Sequence, residues 1–403
     1  MTFSDKIEEW IKEVEARPGS ALTLMRLIAN RLRELSERDE QLLAENIALQ
    51  NGTRVEEYQK RIAHLEYQLD LLKRHVGAEG VTLPEIPAEP ERTVSTSLLV
   101  YDGQGRILRI EIPADAGADG ATDKRMLGRI AGKLSTDHEP PRLLAVPSNE
   151  EALLLFSSGR VGTLSVGDLP TVRAGSAWEW EQAALPDEPR PGETLACIIP
   201  FSRLPVSEYF VQVSRRGCVK KTLSSLAQSI LGNQYLGKGM LGKSDQPFEL
   251  ALCGKGERLA FVTCEGRLLG LDVDDLSYTA EERIRLPATD FVVAAFTPRP
   301  DEALIFVTQN GKVLHRESGM LEPAKSPAAR GQALISANRL EQGIRFIGAA
   351  VVRDGERLAA LDASGAINVY DAGAVTGSGA LGTGGLILSI GLVPAPGQNP
   401  AAA

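Results

Sequence analysis

Six short segments of the chain share one order of apolar and polar positions. In each segment an apolar residue is followed four positions later by a glycine, and another apolar residue comes two positions after that glycine. Runs rich in β-branched, leucine and aromatic residues lie on both sides of the glycine, and such runs around a polar turn predict a β-hairpin. The six glycines are Gly105, Gly159, Gly217, Gly266, Gly311 and Gly365.

The spacing of these hairpins predicts the fold. Successive glycines are 54, 58, 49, 45 and 54 residues apart, which indicates an array of similar units. A lone hairpin is only marginally stable, whereas about fifty residues suffice for a four-stranded blade, and blades closed into a ring leave few free edges. The sequence therefore predicts a mainly β fold with a six-bladed propeller over residues 95–393. Asn310–Gly311 in the fifth repeat favours a type I′ turn, in which both central residues have positive φ.

Residues 1–76 carry a helical pattern instead. Apolar residues recur every seven positions in two runs, as they do in helices that pack against a partner helix. Leucine at one seam position with a single asparagine at the other favours a parallel coiled-coil dimer. The predicted oligomerisation residues are Leu35, Leu42, Asn46, Leu49, Ile62, Leu65, Leu69 and Leu72.

The two helical runs do not share a register, which leaves the topology open. Asn51–Gly52 lies between them, and Thr53–Glu56 has the form of a capping box that begins a new helix. The segment can therefore also fold as an antiparallel helical hairpin, and two hairpins can associate as a four-helix bundle. A solvated helical spacer without a partner is the remaining alternative.

Two segments have the composition of unfolded chain. Residues 77–94 are rich in proline and glutamate, which predicts an extended linker between the helical segment and the propeller. Residues 394–403 are mainly proline, alanine and glycine and are predicted to be a disordered tail. Between them, Leu386–Val393 is predicted to be a late strand that helps to close the ring.

Composition narrows the class of protein. The net charge of −9 over 403 residues excludes a uniformly basic surface. The four cysteines show no CxxC spacing, and we expect them to be buried, reduced thiols. The chain opens without the apolar stretch of a signal peptide, and it has no uninterrupted apolar run of about 18 residues. These features predict a cytoplasmic protein that does not contact a membrane.

Three repeats carry a resemblance to a known family. The segments Glu208–Thr222, Leu259–Leu268 and Leu304–Val313 resemble the repeats of the C-terminal domain of DNA gyrase A and of its topoisomerase IV relative. The resemblance spans roughly residues 95–390 and is strongest in repeats three to five. It implies a six-bladed pinwheel whose basic outer rim bends duplex DNA, here without the catalytic domains of a topoisomerase.

A second, shorter match follows the third hairpin. In gyrase a box of glutamine, two arginines, two glycines, lysine and glycine in the first blade is needed for wrapping. Asn233–Gly239 resembles it and matches at Gly237, Lys238 and Gly239, but both arginines and the first glycine are absent and the segment lies in the third repeat. The resemblance therefore does not imply wrapping of the complete gyrase kind.

Basic residues are concentrated in two stretches. Residues 203–243 contain seven lysines and arginines against one acid, and residues 312–345 contain six against three. Lysines and arginines bind the phosphates of DNA, and these contacts give affinity without sequence preference. The predicted DNA contacts are Arg215, Arg216, Lys220, Lys221, Lys238, Lys243, Lys312, Lys325 and Arg330. The alternative is an ordinary solvated rim, since lysines at sheet edges also prevent aggregation.

No catalytic constellation stands out in the sequence. None of the seven tyrosines follows an arginine, as the DNA-cleaving tyrosine of a type II topoisomerase does, and no ATP-binding GxxxxGK[ST] loop occurs. The four histidines are scattered, and no metal-ligand spacing is present. We therefore expect no enzyme activity, no cofactor and no metal.

The sequence leads to one hypothesis and two alternatives. The hypothesis is a non-enzymatic protein in which a helical oligomerisation module tethers a gyrase-like propeller that binds and bends duplex DNA in the nucleoid. The first alternative is a propeller that serves as a protein–protein scaffold through its acidic blades, with no role for DNA. The second is regulation of a topoisomerase, which would then be a further partner.

Overall fold

The computed structural model describes residues 95–112, 125–131, 139–180, 183–242, 245–324, 329–382 and 385–395. The predicted helical segment with all its oligomerisation residues, the linker, Lys243, Lys325 and the tail from residue 396 lie outside the described residues.

Strands dominate these residues. The first part contains β1 (Thr96–Tyr101), β2 (Ile107–Glu111), β3 (Arg125–Ala131), β4 (Arg142–Pro147), β5 (Glu151–Phe156), β6 (Val161–Ser165), β7 (Thr171–Val172), β8 (Ala177–Glu179), β9 (Leu195–Pro200), β10 (Tyr209–Ser214) and β11 (Cys218–Leu223). The second part contains β12 (Pro247–Cys253), β13 (Arg258–Thr263), β14 (Arg267–Asp272), β15 (Glu281–Glu282), β16 (Val292–Phe296), β17 (Ala303–Thr308), β18 (Val313–Glu317), β19 (Gln332–Ala333), β20 (Phe346–Val352), β21 (Arg357–Asp362), β22 (Ala366–Asp371) and β23 (Ile387–Val393). The described helices are α1 (Ala227–Asn233), α2 (Ala337–Glu341) and α3 (Ala372–Ser378).

The predicted six-bladed arrangement is confirmed. The sheets have the strand orders β4-β1-β2-β7, β6-β5-β9, β12-β10-β11-β15, β16-β13-β14-β19, β18-β17-β20 and β23-β21-β22-β3-β8, which we number as blades 1 to 6. Every blade contains one of the predicted hairpins and an inner strand that pairs with the first hairpin strand. Six buried hydrophobic clusters fill the spaces between neighbouring blades.

Each blade is completed by its neighbour. The chain that follows the second hairpin strand of one blade, which we call its outer segment, packs on the second hairpin strand of the preceding blade. Thus β15 follows the fourth hairpin and pairs with β11 of blade 3, and β19 follows the fifth hairpin and pairs with β14 of blade 4. The outer segment of blade 1 supplies β3, which pairs with β22 of blade 6 and closes the ring. The predicted late strand is present as β23, the innermost strand of blade 6.

The repeated glycine is explained by this exchange. The carbonyl of each turn glycine accepts a hydrogen bond from an outer segment, from Leu185, Leu236, Arg283, Leu334, Leu381 and Ile130 in the order of the blades, at 2.7–3.1 Å. All six glycines have positive φ, between 73° and 87°. A Cβ on Gly217 would lie 2.2 Å from Cγ2 of Ile284, so the approach of the outer segment also requires glycine.

The type I′ prediction for the fifth hairpin is wrong. Within the described residues only Gln234 and Asp301 are non-glycine residues with positive φ, so Asn310 does not have the required conformation. Gly311 N–H donates to the Thr308 carbonyl at 2.9 Å, and Gly311 alone is left-handed. This is a type I turn followed by a left-handed glycine, which is the other common way to close a short hairpin.

Candidate nucleic-acid interface

The predicted phosphate contacts begin with the third hairpin, whose basic residues have different surroundings. Alternation along β11 explains the difference, because successive side chains of a strand point to opposite faces. Val219 and Lys221 face blade 4 and are buried, whereas Lys220 faces the outer segment that covers blade 2 and is half-buried. The four bases of this hairpin therefore do not form one exposed edge.

Lys221 is a structural residue. Its side chain is 4% exposed, and Nζ donates hydrogen bonds to the carbonyls of Val273 at 3.0 Å and Asp274 at 3.1 Å. The ammonium also lies 4.8 Å and 5.1 Å from the ring centres of Tyr209 and Tyr278. The Lys221 ammonium thus joins blade 3 to blade 4 and is not accessible to DNA. The prediction that Lys221 contacts DNA is therefore wrong.

Arg215 is also held inside the ring. Its guanidinium is ion-paired with Glu139, donates to the Val292 carbonyl at 2.7 Å and stacks 4.0 Å from the ring centre of Phe248. Arg142 stacks on the same ring at 4.6 Å and is ion-paired with Glu249. Burial lowers the pKa of Arg215 to about 10, which leaves it charged at neutral pH but not available to a phosphate.

Arg216 caps backbone rather than facing solvent. Its guanidinium donates to the carbonyls of Leu286, Pro287 and Asp290 at 2.6–2.9 Å. These carbonyls belong to the outer segment of blade 4 and to the chain that leads into β16. Three of the four bases predicted on the third hairpin are therefore used to hold the blades together, and only Lys220 remains as a candidate contact.

The segment that resembles the gyrase box has a structural role of its own. Residues 233–239 form part of the outer segment that packs on blade 2, where Leu236 N–H donates to the carbonyl of Gly159 at 2.9 Å. Gly237 and Gly239 have positive φ, and the Gly237 carbonyl accepts a hydrogen bond from Gln212 Nε2 at 2.7 Å. Lys238 between them is exposed, and Lys220 Nζ lies 3.4 Å from the Leu236 carbonyl. Burial lowers the pKa of Lys220.

The remaining predicted contacts lie on the outer rim. Lys312 directly precedes the second strand of the fifth hairpin and Arg330 lies in the outer segment that covers blade 4, and both are exposed. Two exposed arginines beside them are absent from the predicted set. Arg285 lies next to Arg330 because its N–H donates to the carbonyl of Ala329 at 3.2 Å, and Arg316 lies on β18.

A sequence signal existed for one of these two residues. The segment Glu281–Leu286 alternates, and its even-numbered apolar positions Ile284 and Leu286 are buried. Period-two alternation would have assigned Arg285 to the exposed face, although it assigns the same face to Arg283, which the structure buries in an ion pair with Glu281. The sequence therefore could not separate the two arginines.

The ring axis contains a cavity of about 840 Å³. Its middle is apolar, and Arg142 with Glu249 lies at the end near the hairpin turns. At the other end, Glu257 and Glu356 accept hydrogen bonds from the backbone N–H groups of Gly254 and Arg353. These carboxylates stabilise turns, and no group of three or more potential metal ligands occurs within the described ranges.

Acidic residues recur at one fixed position relative to the turn glycine of each repeat. The residues nine positions before the turn glycines are Thr96, Glu150, Glu208, Glu257, Glu302 and Glu356. The carbonyl of each accepts a hydrogen bond from the residue 16 positions later, at the end of the second hairpin strand. Five of the 53 acidic residues of the chain therefore occupy one fixed position of the repeat.

Comparison with known proteins agrees with this geometry. DNA gyrase A of Escherichia coli K12 is 24% identical over 252 residues, which are 60% of this chain and 27% of the relative. A solved gyrase A C-terminal domain superimposes with a TM-score of 0.53 at 12% identity and covers 74% of this chain and 100% of that domain. The propeller is a gyrase-like pinwheel.

A topoisomerase IV C-terminal domain gives a TM-score of 0.47 at 20% identity and covers 75% of this chain and 95% of that chain. A scan against protein-family models finds no match. The chain spans about a quarter of the length of the curated relatives it matches. Among the described residues, no helix combines the length and apolar character needed to span a bilayer.

Proposed function

We propose that this propeller binds duplex DNA without sequence preference along the outer rim of blades 2 to 5. One observation carries the proposal: exposed cations lie on the outermost elements of neighbouring blades, and Arg285 and Arg330 come from adjacent outer segments joined by backbone hydrogen bonds. A row of this kind supplies contacts to successive phosphates. The candidate contacts are Lys220, Lys238, Arg285, Lys312, Arg316 and Arg330, with Lys243 and Lys325 proposed from sequence alone.

The proposed contact is shorter than a full turn around the rim. β15, the outermost strand of blade 3, consists of Glu281 and Glu282, and Glu282 is exposed. Carboxylates on this strand repel the phosphates that the neighbouring arginines attract. We therefore propose two contact regions, one formed by Lys220 and Lys238 and one formed by Arg285, Arg330, Lys312 and Arg316, rather than continuous wrapping.

Binding at varied salt concentration tests this function. If all six described cations contact phosphates, the slope of log K against log salt is about −5, because each contact contributes ~0.9. The substitutions Lys238→Glu, Arg285→Glu and Arg330→Glu together should abolish binding to a random duplex in fluorescence anisotropy. Lys255→Glu is the matched control, since Lys255 is exposed on the turn between β12 and β13, away from the outer segments. Equal loss in both variants would contradict the rim assignment.

The proposal includes no catalysis. The match covers only a quarter of the length of gyrase A, and the described residues of the axial cavity hold their carboxylates in ion pairs and turn contacts. Incubation with supercoiled DNA, with and without ATP and Mg²⁺, should leave its topology unchanged after the protein is removed. Nicking or relaxation that persists after removal would overturn this part.

We also propose that residues 1–76 associate and so place two or more propellers in one particle. Two linked propellers gain affinity through high effective concentration or bridge two duplexes. Sedimentation of the full chain should show a dimer or tetramer, and Leu42→Asp with Leu65→Asp should give monomers that bind DNA more weakly but with the same salt slope for each propeller. Sedimentation of the unchanged chain as a monomer would refute the module.

One observation favours the scaffold alternative. Besides Glu282, the acidic residues Asp274 and Asp275 of blade 4 are exposed on a neighbouring part of the ring. A basic protein partner, such as a topoisomerase, would bind there even if DNA does not bind the rim. Asp274→Lys with Asp275→Lys should prevent co-purification of such a partner and leave DNA affinity unchanged or slightly raised.

A further inference from the structure

Tyr235 is a large aromatic residue that a rigid segment presents to solvent. Its side chain is 56% exposed, although its backbone lies in the outer segment that packs on blade 2. The residue before it, Gln234, is left-handed and ends α1, which turns the chain sharply at this point. A single exposed side chain of this size is common on protein surfaces, and the surroundings of the ring distinguish Tyr235.

The backbone around Tyr235 is fixed on both sides. Tyr235 N–H donates to the Ile230 carbonyl at 3.2 Å, and the carbonyl of Gln234 accepts from Val161 N–H at 2.9 Å. Tyr235 also forms an antiparallel bridge with Arg160, whose guanidinium is ion-paired with Asp187 and Glu193. The backbone that carries the ring is thus fixed relative to the rim before any ligand binds, so ordering this segment costs little on binding.

Cations lie on the same segment. Lys238 is exposed three residues later, and Lys220 Nζ hydrogen-bonds to the carbonyl of Leu236, the residue after Tyr235. Leu241, a second apolar side chain at 65% exposure, follows on the same stretch of chain. An exposed aromatic ring on the same segment as two candidate phosphate contacts has the composition of nucleic-acid sites in which side chains insert between or stack on bases.

We propose that Tyr235 inserts its ring at a base step of the bound duplex and bends the DNA at the junction of blades 2 and 3. This inference rests on the proposed function and adds to it a site of deformation. Lys220 and Lys238 hold the flanking phosphates, and the ring offsets part of the cost of unstacking the step. Pyrimidine–purine steps should be preferred, since they unstack most easily.

The test uses the full chain and a duplex of about 30 base pairs that carries 2-aminopurine at several TA steps and a donor and acceptor dye at its ends. Unchanged protein should raise the 2-aminopurine fluorescence and the energy transfer between the ends. Tyr235→Ala should lose both signals and about tenfold in affinity, because base–aromatic stacking contributes substantially to binding. Its salt slope should stay unchanged, since no phosphate contact is removed.

Two variants make the result specific. Tyr235→Phe keeps the ring and should behave like the unchanged protein; if it behaves like Tyr235→Ala, the ring is not the inserting group and the inference is wrong. Tyr278→Ala is the matched control, because Tyr278 is 54% exposed but lies over Lys221 in the acidic region of blade 4. It should retain both fluorescence signals, and thermal unfolding of each variant checks that the propeller is intact.

The outcomes separate this inference from the proposed function. If the unchanged protein binds the duplex with a steep salt slope and Tyr235→Ala gives the same fluorescence signals, Tyr235 does not deform DNA while the rim function stands. If the unchanged protein binds no duplex at low salt, the rim function fails and the inference fails with it.

Discussion

The third and fifth blades contain hairpins that look alike in sequence and differ in what their cations do. β10–β11 carries Arg215, Arg216 and Lys221, whose charges are bound by carbonyls of blade 4, by aromatic rings and by the Glu139 carboxylate. β17–β18 carries Lys312 and Arg316, and both are exposed. Among the described residues, the Arg316 side chain donates a hydrogen bond only to the carbonyl of its neighbour His315, at 3.0 Å.

The outer segment that packs on each hairpin explains why the cations of the third hairpin are bound and those of the fifth are exposed. β11 pairs with β15, and the chain from Val273 to Asp290 passes over Lys221 and over Arg216 of the turn before β11. On its outer side β18 contacts the next outer segment at its first residue, where Val313 N–H donates to the Gly379 carbonyl at 2.9 Å beside the bridge between Lys312 and Ala380. Among the described residues no strand pairs with this side of β18 beyond that point. Whether a basic residue of a hairpin is buried or exposed thus depends on the outer segment of the next blade, which lies 52 to 74 residues away in sequence. Local charge counts overestimate the interface for this reason.

The largest effect is expected from a substitution at the turn glycine, where the outer segment packs on the hairpin. Gly217→Ala should lower the free energy of unfolding by about 3 kcal/mol, because the methyl group adds a clash with Ile284 to the strain of positive φ. Gly343→Ala in the fifth repeat shares the positive φ but has open space around it, and it should cost only about 1 kcal/mol. Chemical denaturation measures both, and equal losses would show that the outer segment does not press on the turn.

A buried and an exposed lysine provide the next contrast. Lys221→Met should lower the free energy of unfolding by about 2 kcal/mol, since two carbonyls lose a charged donor inside the protein. Lys312→Met should change it by less than about 0.5 kcal/mol, because Lys312 is exposed. The same denaturation experiment applies, and a stable Lys221→Met variant would return this residue to the candidate contacts.

The same pair of blades also gives opposite predictions for DNA. Lys312→Ala with Arg316→Ala should make the slope of log K against log salt shallower by about 1.8, because two phosphate contacts are lost. Lys221→Met should leave the slope unchanged at a temperature where the variant is folded. Anisotropy titrations at four or more salt concentrations measure the slopes, and a reversed ranking would contradict the division between structural and rim cations.

The repeat made the fold predictable from the sequence. The packing of each outer segment on the preceding blade limited what could be predicted about the candidate DNA contacts. Glycine spacing and flanking apolar runs predicted six hairpins and the ring, because both signals are local. The predicted contacts included both Lys220 and Lys221, although alternation along a strand places these two lysines on opposite faces. Which face would be covered depends on Val273 and Asp274, whose position over β11 no pattern in the third repeat reveals.

The turn chemistry shows a smaller limit of the same kind. Asn310–Gly311 is a favoured pair for a type I′ turn, yet only the glycine adopts positive φ. The left-handed residue must bring its carbonyl to the N–H of Leu381 in the next outer segment, at 2.7 Å. Tertiary contact therefore selects the turn type, and dipeptide preference does not.

The smallest expected effect is on pH dependence. Asp290 of blade 4 is fully buried, and burial raises its pKa, whereas the corresponding position of blade 5 is Ile344. A carboxyl with a raised folded-state pKa favours the folded state most below its unfolded pKa of about 3.9, and this contribution is lost as the pH rises through the folded-state value. Asp290→Asn keeps the Oδ1 acceptor of the Glu265 and Phe291 N–H groups and should gain stability relative to the unchanged protein as the pH rises from 4 to 7.

Denaturation midpoints at several pH values measure that difference. Ile344→Val serves as the control in blade 5, since it removes one methyl group and introduces no titrating side chain. Its offset from the unchanged protein should be the same at every pH. A constant offset for Asp290→Asn as well would show that the buried carboxyl does not titrate in this range.

The strand that closes the ring has a consequence for how the chain is made. Arg129 of β3 donates its Nε–H to the carbonyl of Ser364, 235 residues further along the chain. A ribosome adds about 5–20 residues per second, so β3 leaves the exit tunnel roughly 10–50 s before its partner exists. During synthesis that strand has an unsatisfied edge, and the nascent protein is most exposed to mispairing with another copy until the last blade is complete.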